Sequence, residues 1–307
     1  MDPLKSIDMP PRTESIARIF LDSQFCAKPQ WPPKSTDLSG KTVIVTGGGS
    51  GLGFYACKHL LNYKLSHLIM AVRSPSKGEA AAASLRREHP GAKIDVWELE
   101  MGSYSSIRAF VRRVEDELPR LDIAILNSGI VSVEFGLNPS TGHENDIQVN
   151  YLSTLLLSIL LLPSLKEKSP AGSPGRLTIV SSGLAYQSQF ANSTSVPLLP
   201  SFDTTEIMRW DPGERYATSK LLQHLVLPKL TAYVNPDDVI VNLVDPGFCK
   251  GSGLHRDAHG MIKAILSLMK TITGRTLETG SSTYVDASVI KGKESHGCFV
   301  MDWSIKP

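Results

Sequence analysis

Apolar residues along this chain fall into two recurring patterns. Short, nearly continuous β-branched runs at Lys41 to Val45, His67 to Val72, Ile94 to Leu99, Asp122 to Asn127, Arg176 to Ser182, Val239 to Val244 and Cys298 to Met301 each predict a strand. Between them, helical periodicity predicts helices over Phe54 to Leu61, Lys77 to Glu88, Ser105 to Glu117, about Ile147 to Leu165 and Tyr216 to Tyr233. Strands that are apolar throughout, alternating with helices, are buried on both faces and pair in parallel. The expectation is an α/β fold, a doubly wound (Rossmann) parallel sheet of about seven strands with helices on both faces and ligands at the strands' carboxyl ends. Residues 41–307 are read as a single dinucleotide-binding catalytic domain. Residues 1–40, rich in proline, are read as an N-terminal extension whose Ile16, Ile19 and Phe20 form one apolar stripe. That stripe fits either an arm packed on the surface or a lid over a ligand. The most apolar run, Tyr151 to Leu165, is too short to cross about 30 Å of hydrocarbon, so a core helix is expected and no membrane span.

The first strand leads directly into Thr46-Gly-Gly-Gly-Ser50-Gly51-Leu52-Gly53, and a helix follows. Glycines at a strand–turn–helix junction let the backbone approach a pyrophosphate, while free N–H groups and the helix dipole stabilise its charge. In this arrangement the end of the second strand meets the adenosine ribose. Arg73 stands there. A carboxylate would accept from both ribose hydroxyls, whereas a guanidinium suits a 2′-phosphate, so NADP(H) is favoured over NAD. Arg73 stacking on adenine, or solvating a loop end, gives the same sequence. Glu100, ending the third strand, is a candidate for the adenine amino group.

Charge and composition narrow the partners. The 307 residues carry a formal net charge of +2 without a basic stripe, which argues against nucleic acid and for a small-molecule partner. Cys26, Cys57, Cys249 and Cys298 lie far apart, with no spacing for a metal or a disulfide framework. Reduced thiols and a cytoplasmic location are expected. The acidic, proline-bearing start (Asp2, Pro3, Asp8, Pro10, Pro11) is unlike a secretory signal.

Tyr216 and Lys220, four apart, share one helix face, where a nearby ammonium favours phenolate. Together with Thr46-Gly-x-x-x-Gly51-x-Gly53, Asn127-Ser-Gly129, Asn150, Ser181-Ser182 and Pro246-Gly247, in that order, the chain resembles the short-chain dehydrogenase/reductases. Ala71-Val-Arg-Ser74, Ile125-Leu-Asn-Ser-Gly129 and Arg275-Thr-Leu-Glu278 resemble the retinol-dehydrogenase-like branch and its fungal secondary-metabolism relatives. The resemblance implies that Tyr216 is the general acid or base, and that Lys220 lowers its pKa and binds the nicotinamide ribose. It implies that Ser182 bonds the substrate oxygen and that Asn150 holds a relay water. Gly47, Gly51 and Gly53 would take the pyrophosphate with Thr46, Ser50 and Leu52 around them; Asn127 and Gly129 would support the adenosine side, and Pro246 and Gly247 would flank the nicotinamide.

Rival readings stand beside these. Asn150 could cap or kink its helix, and Ser181 rather than Ser182 could face the substrate, because adjacent strand residues point opposite ways. Three departures from the family pattern are Ser128 for the usual Ala, Glu100-Met101 for Asp-Leu, and Gly251-Ser252 where a hydroxyl residue usually follows Pro-Gly. The long Ser182–Tyr216 interval holds Phe190, Val196, Leu198, Leu199, Phe202, Ile207, Met208 and Trp210, and Met261 to Met269 is also apolar. Both are expected to wall the substrate site, favouring a lipophilic ketone, aldehyde or alcohol such as a polyketide or terpenoid intermediate. The same residues packed on the domain would look identical in sequence, as would Cys249 and Lys250 packed in their loop. The apolar helix to Leu165 and the one carrying Tyr216 resemble those the family uses for a homodimer. A non-catalytic nucleotide sensor or a scaffold on the same fold is the alternative function, and it has no need of Ser182, Tyr216 and Lys220 together.

Overall fold

The computed structural model describes residues 5–251 and 271–307. In β1 (Thr42–Thr46) every residue is buried, and parity divides the side chains: Val43 and Val45 join one apolar cluster, Ile44 the other. β2 (His67–Val72) repeats this, with Leu68 and Met70 opposite Ile69 and Ala71. Strands packed on both faces belong inside a sheet covered on both sides. β3 (Lys93–Glu98), β4 (Ile123–Leu126), β5 (Gly175–Val180), β6 (Val239–Asp245) and β7 (Phe299–Met301) join them in parallel, and β8 (Ser304–Lys306) pairs antiparallel with β7.

The sheet order is β3-β2-β1-β4-β5-β6-β7-β8. The chain therefore builds outward from β1 in one direction and then from β4 in the other, which opens a crevice at the carboxyl ends of these two strands. The helices are α1 (Ile16–Leu21), α2 (Gly51–Asn62), α3 (Pro75–Glu88), α4 (Tyr104–Glu117), α5 (Thr154–Lys168), α6 (Pro212–Thr231) and α7 (Leu277–Val285). Phe110 of α4, Leu161 of α5 and Leu227 of α6 fill the core on one face; Leu60 of α2, Leu85 of α3 and Tyr284 of α7 fill the other.

The seven expected strands are present, and β8 is an addition. Asp302 and Trp303 have φ of 54° and 57°, two consecutive left-handed residues as a type I′ hairpin turn requires. Neither is the Asn or Gly that usually marks such a turn. Burial fixes it instead: the Trp303 ring is fully enclosed, its indole N–H donates to Ser282 Oγ at 3.1 Å, and the Arg275 guanidinium lies 4.9 Å above it. The α6 helix also starts earlier than expected. Asp211 accepts from Glu214 N at 3.0 Å and Pro212 occupies the first turn, both favourable at a helix start.

The apolar helix differs in length from the expectation. It runs 22 residues, Ile147–Lys168, long enough by length and composition to span a bilayer. Packing gives it another place: Leu157, Leu161 and Leu165 are wholly buried in the core beside β4 and β5. Its first turns, Ile147–Ser153, are π-helical and bury Gln148, Asn150 and Ser153, with Gln148 Nε2 donating to Ser153 Oγ at 2.7 Å. Removing Leu161 should then cost a full cavity. Leu161→Ala is expected to lower the unfolding free energy by about 2–5 kcal/mol in urea titrations; an unchanged midpoint would show that α5 does not pack in the core.

Candidate active site

The glycine turn closes the carboxyl end of β1. Gly47 and Gly51 have φ of +66° and +55°, the left-handed region that favours glycine. Gly53, in the first turn of α2, has no space for a side chain: a Cβ there would lie 2.4 Å from Gly47 O and 2.6 Å from Asn127 Nδ2. Asn127 is itself fixed, donating to Thr46 O at 2.9 Å and accepting from the Tyr284 hydroxyl at 3.1 Å. Thr46 lies buried behind the turn, its Oγ1 accepting from Ser128 N at 2.9 Å. Ser50 starts α2 without capping it through its side chain, so first-turn N–H groups remain available at a cleft lined by Gly47, Gly49, Ser50, Gly51 and Leu52. A cradle with free donors, a helix N-terminus and no Cβ in the way fits a dinucleotide pyrophosphate.

At the end of β2, Arg73 extends along the same cleft with its Nε 3.8 Å from Glu100 Oε2, while Glu100 Oε1 accepts from Gly102 N at 2.9 Å. Ser74 and Lys77 line this corner as well. Sequence reasoning did not single them out. The available signal was position: Lys77 is a cation in the first turn of α3, which carries no acidic residue there, where the helix dipole disfavours positive charge unless an anion comes near.

Further along the cleft, β5 and α6 bring the hydroxyl, phenol and ammonium together. Ser182 follows β5 and lies against the Tyr216 phenol, favouring its ionised form, while Ser182 Oγ accepts from Leu184 N at 3.2 Å. Ser181 points elsewhere, bonded to His224 Nε2 at 3.0 Å. Burial keeps His224 neutral, its pKa pushed down to about 4. Lys220 Nζ donates to Val180 O at 2.8 Å and sits 5.7 Å from the Tyr216 ring centre. Burial pushes Lys220 down to about 8 against the pull of the Asp146 and Asp245 carboxylates, and it pushes the Tyr216 phenol well up, with Asp245 and then Asp146 adding to burial and only the Ser182 hydroxyl opposing it. The resemblance has Lys220 lowering the phenol's pKa; in this structure desolvation dominates, and the phenol keeps its proton.

Asn150 is buried and fully engaged: its amide donates to Ile130 O and Ser219 Oγ at 2.9 and 3.0 Å, and its Oδ1 accepts from Ile130 N at 2.9 Å. It thereby ties the loop holding Gly129 to α6. A Cβ on Gly129 would stand 3.2 Å from Asn150 Oδ1 and 3.7 Å from Lys220 Nζ. Pro246 and Gly247 face the same cleft from the end of β6.

A family model described as short chain dehydrogenase matches residues 41–194. The chain is 54% identical over 305 residues to short chain dehydrogenase/reductase mfmJ of Annulohypoxylon moriforme, covering 99% of this chain and 88% of that one. It is 42% identical to short chain dehydrogenase virL of Hypocrea virens, over 94% and 83% of the two chains. This chain belongs to the short-chain dehydrogenases. It is an oxidoreductase of a family that binds nicotinamide cofactors. A solved short chain dehydrogenase from Shigella flexneri superposes with a TM-score of 0.65 at 18% identity, covering 89% of this chain and 94% of that one. Another, from Sphingobium yanoikuyae in complex with NADPH, gives 0.58 at 16%, covering 80% and 83%. At those identities the likeness is one of fold.

The dehydrogenase's cleft has a volume of about 1380 Å³, above the roughly 300–1,000 Å³ of a drug-sized pocket, so a dinucleotide leaves room for a second molecule. Its apolar wall differs from the expected one. Phe202 is fully buried with Ile147 and Leu222, Phe190 stacks on it at 6.4 Å, and Leu198 and Leu199 pack against this group. Val196 is 96% exposed and Ile207 46%, and Trp210 hangs from Val133 O by its indole N–H at 2.9 Å. None of the eight apolar residues of that interval, Met208 included, lines the cleft. Phe190, Leu198, Leu199 and Phe202 pack on the domain, where Glu214 gathers the loop's own backbone, accepting from Gln189 N and Phe190 N at 3.0 and 3.1 Å. Met261 to Met269 lies outside the described residues.

The N-terminal extension supplies the wall instead. Ile16, Ile19 and Phe20 line the cleft, and Phe20 meets Phe248 at 5.9 Å. Arg275 fastens this arm, donating to Ser23 O at 2.6 Å, Asp302 Oδ1 at 2.5 Å and Pro246 O at 3.2 Å. Cys249 lines the cleft and Lys250 is exposed. The missed residue is Asp245, 5% exposed in the cleft, its carboxyl pushed by burial up to about 6. A charge ending an otherwise apolar strand, directly before Pro246-Gly247, was its signal.

The Lys220 environment can be read directly. In ¹³Cε-lysine NMR of the dehydrogenase, one resonance should titrate near pH 8 and vanish in Lys220→Arg; all lysines titrating above 10 would contradict the burial described.

Proposed function

We propose that this chain is an NADP(H)-dependent oxidoreductase interconverting a ketone or aldehyde with an alcohol on a lipophilic small molecule, a polyketide or terpenoid intermediate of secondary metabolism, in the cytoplasm. The observation that carries this reading is the convergence of Ser182, Tyr216 and Lys220 in the cleft that also holds the glycine turn. Arg73 and Lys77, beside Ser74, supply two positive charges for a 2′-phosphate. NADPH, when bound, supplies the hydride. The protein's part is binding and proton handling. The Ser182 hydroxyl holds the substrate oxygen, where negative charge grows in reduction, and the neutral Tyr216 phenol gives that oxygen its proton. Lys220, close to neutral pH in its titration, stands behind Tyr216 to restore the proton. Asn150's side chain is committed to Ile130 and Ser219; the relay water is assigned to its main-chain carbonyl, which also accepts from Gln223 Nε2 at 2.6 Å.

In this reading residues 41–307 form the catalytic domain, and residues 1–40 add the apolar wall that favours a lipophilic substrate. Ile159 of α5 and Leu225 of α6 are 48% and 51% exposed. We assign that apolar face to a homodimer; light scattering that gives one chain's mass at micromolar protein would rule it out.

The proton-transfer role has a direct test. Tyr216→Phe is expected to lower turnover of a lipophilic ketone by at least about 10²-fold while NADPH affinity stays within a factor of about two. Turnover at the parent rate would remove Tyr216 from the reaction.

A further inference from the structure

Asp245 is a charge in the cleft that the Ser182, Tyr216 and Lys220 chemistry does not use. It ends β6, and Ser181 N donates to Val244 O at 2.8 Å, so Asp245 lies across the β5–β6 pair from the two serines. Its Oδ2 stands 3.7 Å from where a Cβ on Gly183 would be, and the backbone N–H groups of Gly183 and Gly247 favour its charged form. Among the described residues, the charged or titratable groups that act on it or feel it are Tyr186, Tyr216, Lys220, Arg275, Tyr284 and Asp302. Arg275 directs its hydrogen bonds to Pro246 O, Ser23 and Asp302, and among the described residues no cation forms an ion pair with Asp245. A carboxylate that is nearly enclosed, lines the cleft and has no paired cation among the described residues projects its charge into the cleft.

We propose that Asp245 sets the redox-state preference of the cofactor site: its negative charge favours binding of the oxidised, cationic nicotinamide over the reduced, neutral one, which shifts the equilibrium between enzyme-bound species towards the reduced carbonyl. The inference rests on the cofactor reading of Pro246-Gly247. In that direction a hydride, two electrons and a proton, adds to the carbonyl carbon as the C=O π bond breaks. The oxygen takes the Tyr216 proton, and NADPH becomes NADP⁺ with one more positive charge on its ring. The same carboxylate opposes phenolate at Tyr216, so the phenolate left when the proton is given up must be reprotonated, the part assigned to Lys220.

The test is a comparison of equilibrium affinities at pH 8, where Asp245 is ionised, using the full chain and Asp245→Asn. Isothermal titration gives Kd for NADP⁺, NADPH and 2′,5′-ADP, the last reporting only on the adenosine end. Asp245→Asn is expected to weaken NADP⁺ relative to NADPH on the order of tenfold, with 2′,5′-ADP unchanged; Asp245→Glu, which keeps the charge, should retain the parent ratio. Should Asp245→Asn lose 2′,5′-ADP through misfolding, Asp245→Ser provides the same ratio. An unchanged NADP⁺/NADPH ratio, with both weakened alike, would overturn the proposal and leave Asp245 a structural residue. Failure of the parent chain to bind either dinucleotide, with 2′,5′-ADP still bound, would overturn it together with the cofactor reading beneath it.

Discussion

The contact between Gly53 and Gly47 O, backed by the Asn127 amide, is the constraint on which the site depends. It brings the first turn of α2 against the end of β1 at a distance no side chain permits. Asn127 then joins β4 to that turn through Thr46 O, and Tyr284 brings α7 to the same point. Three elements far apart in sequence meet at the place where the sheet reverses its order. The crevice that results is a consequence of topology, but its dimensions are set by these hydrogen bonds.

A second set of contacts closes the other end. Arg275 joins the N-terminal arm, the Pro246-Gly247 turn and the C-terminal hairpin, and a Cβ on Gly247 would lie 2.6 Å from its guanidinium. The arm reaches this junction already anchored near its start, with Lys5 Nζ donating to Lys293 O at 3.0 Å and Phe299 N donating to Ser6 Oγ at 2.9 Å. Burial between the two ends then decides protonation. Desolvation moves Tyr216, Lys220 and Asp245 each towards its neutral form, which brings the titrations of Lys220 and Asp245 close to neutral pH and keeps the Tyr216 phenol protonated.

Much of this was legible in the sequence. The β-branched runs fixed seven strands to within a residue or two because strands buried on both faces leave no polar alternation to confuse their limits. The glycine turn and the Tyr216–Lys220 pair were legible because backbone approach and helix spacing are local properties. What escaped was tertiary. β8 depends on Trp303 being enclosed, not on turn propensity, and the start of α6 lay in Asp211-Pro212-Gly213-Glu214, whose glycine obscured a good cap. Of the apolar residues between Ser182 and Tyr216, Phe190, Leu198, Leu199 and Phe202 do pack inward while Val196 and Ile207 stay exposed, and composition does not say against what a residue is buried. The arm's Ile16 and Phe20, equally apolar, took the cleft wall because Arg275, some 250 positions away, holds them there. Asp245 was hidden by a strand pattern in which a single terminal charge reads as solvated.

The proposed cofactor is a nicotinamide dinucleotide whose 2′-phosphate lies beside Arg73 and Lys77 in the cleft. The most direct measurement is a parallel titration of the purified protein with NADPH and NADH, followed by nicotinamide fluorescence. Charge-assisted bonds to the phosphate predict NADPH binding tighter by at least about tenfold. Equal or tighter binding of NADH, or binding of neither, would contradict the account.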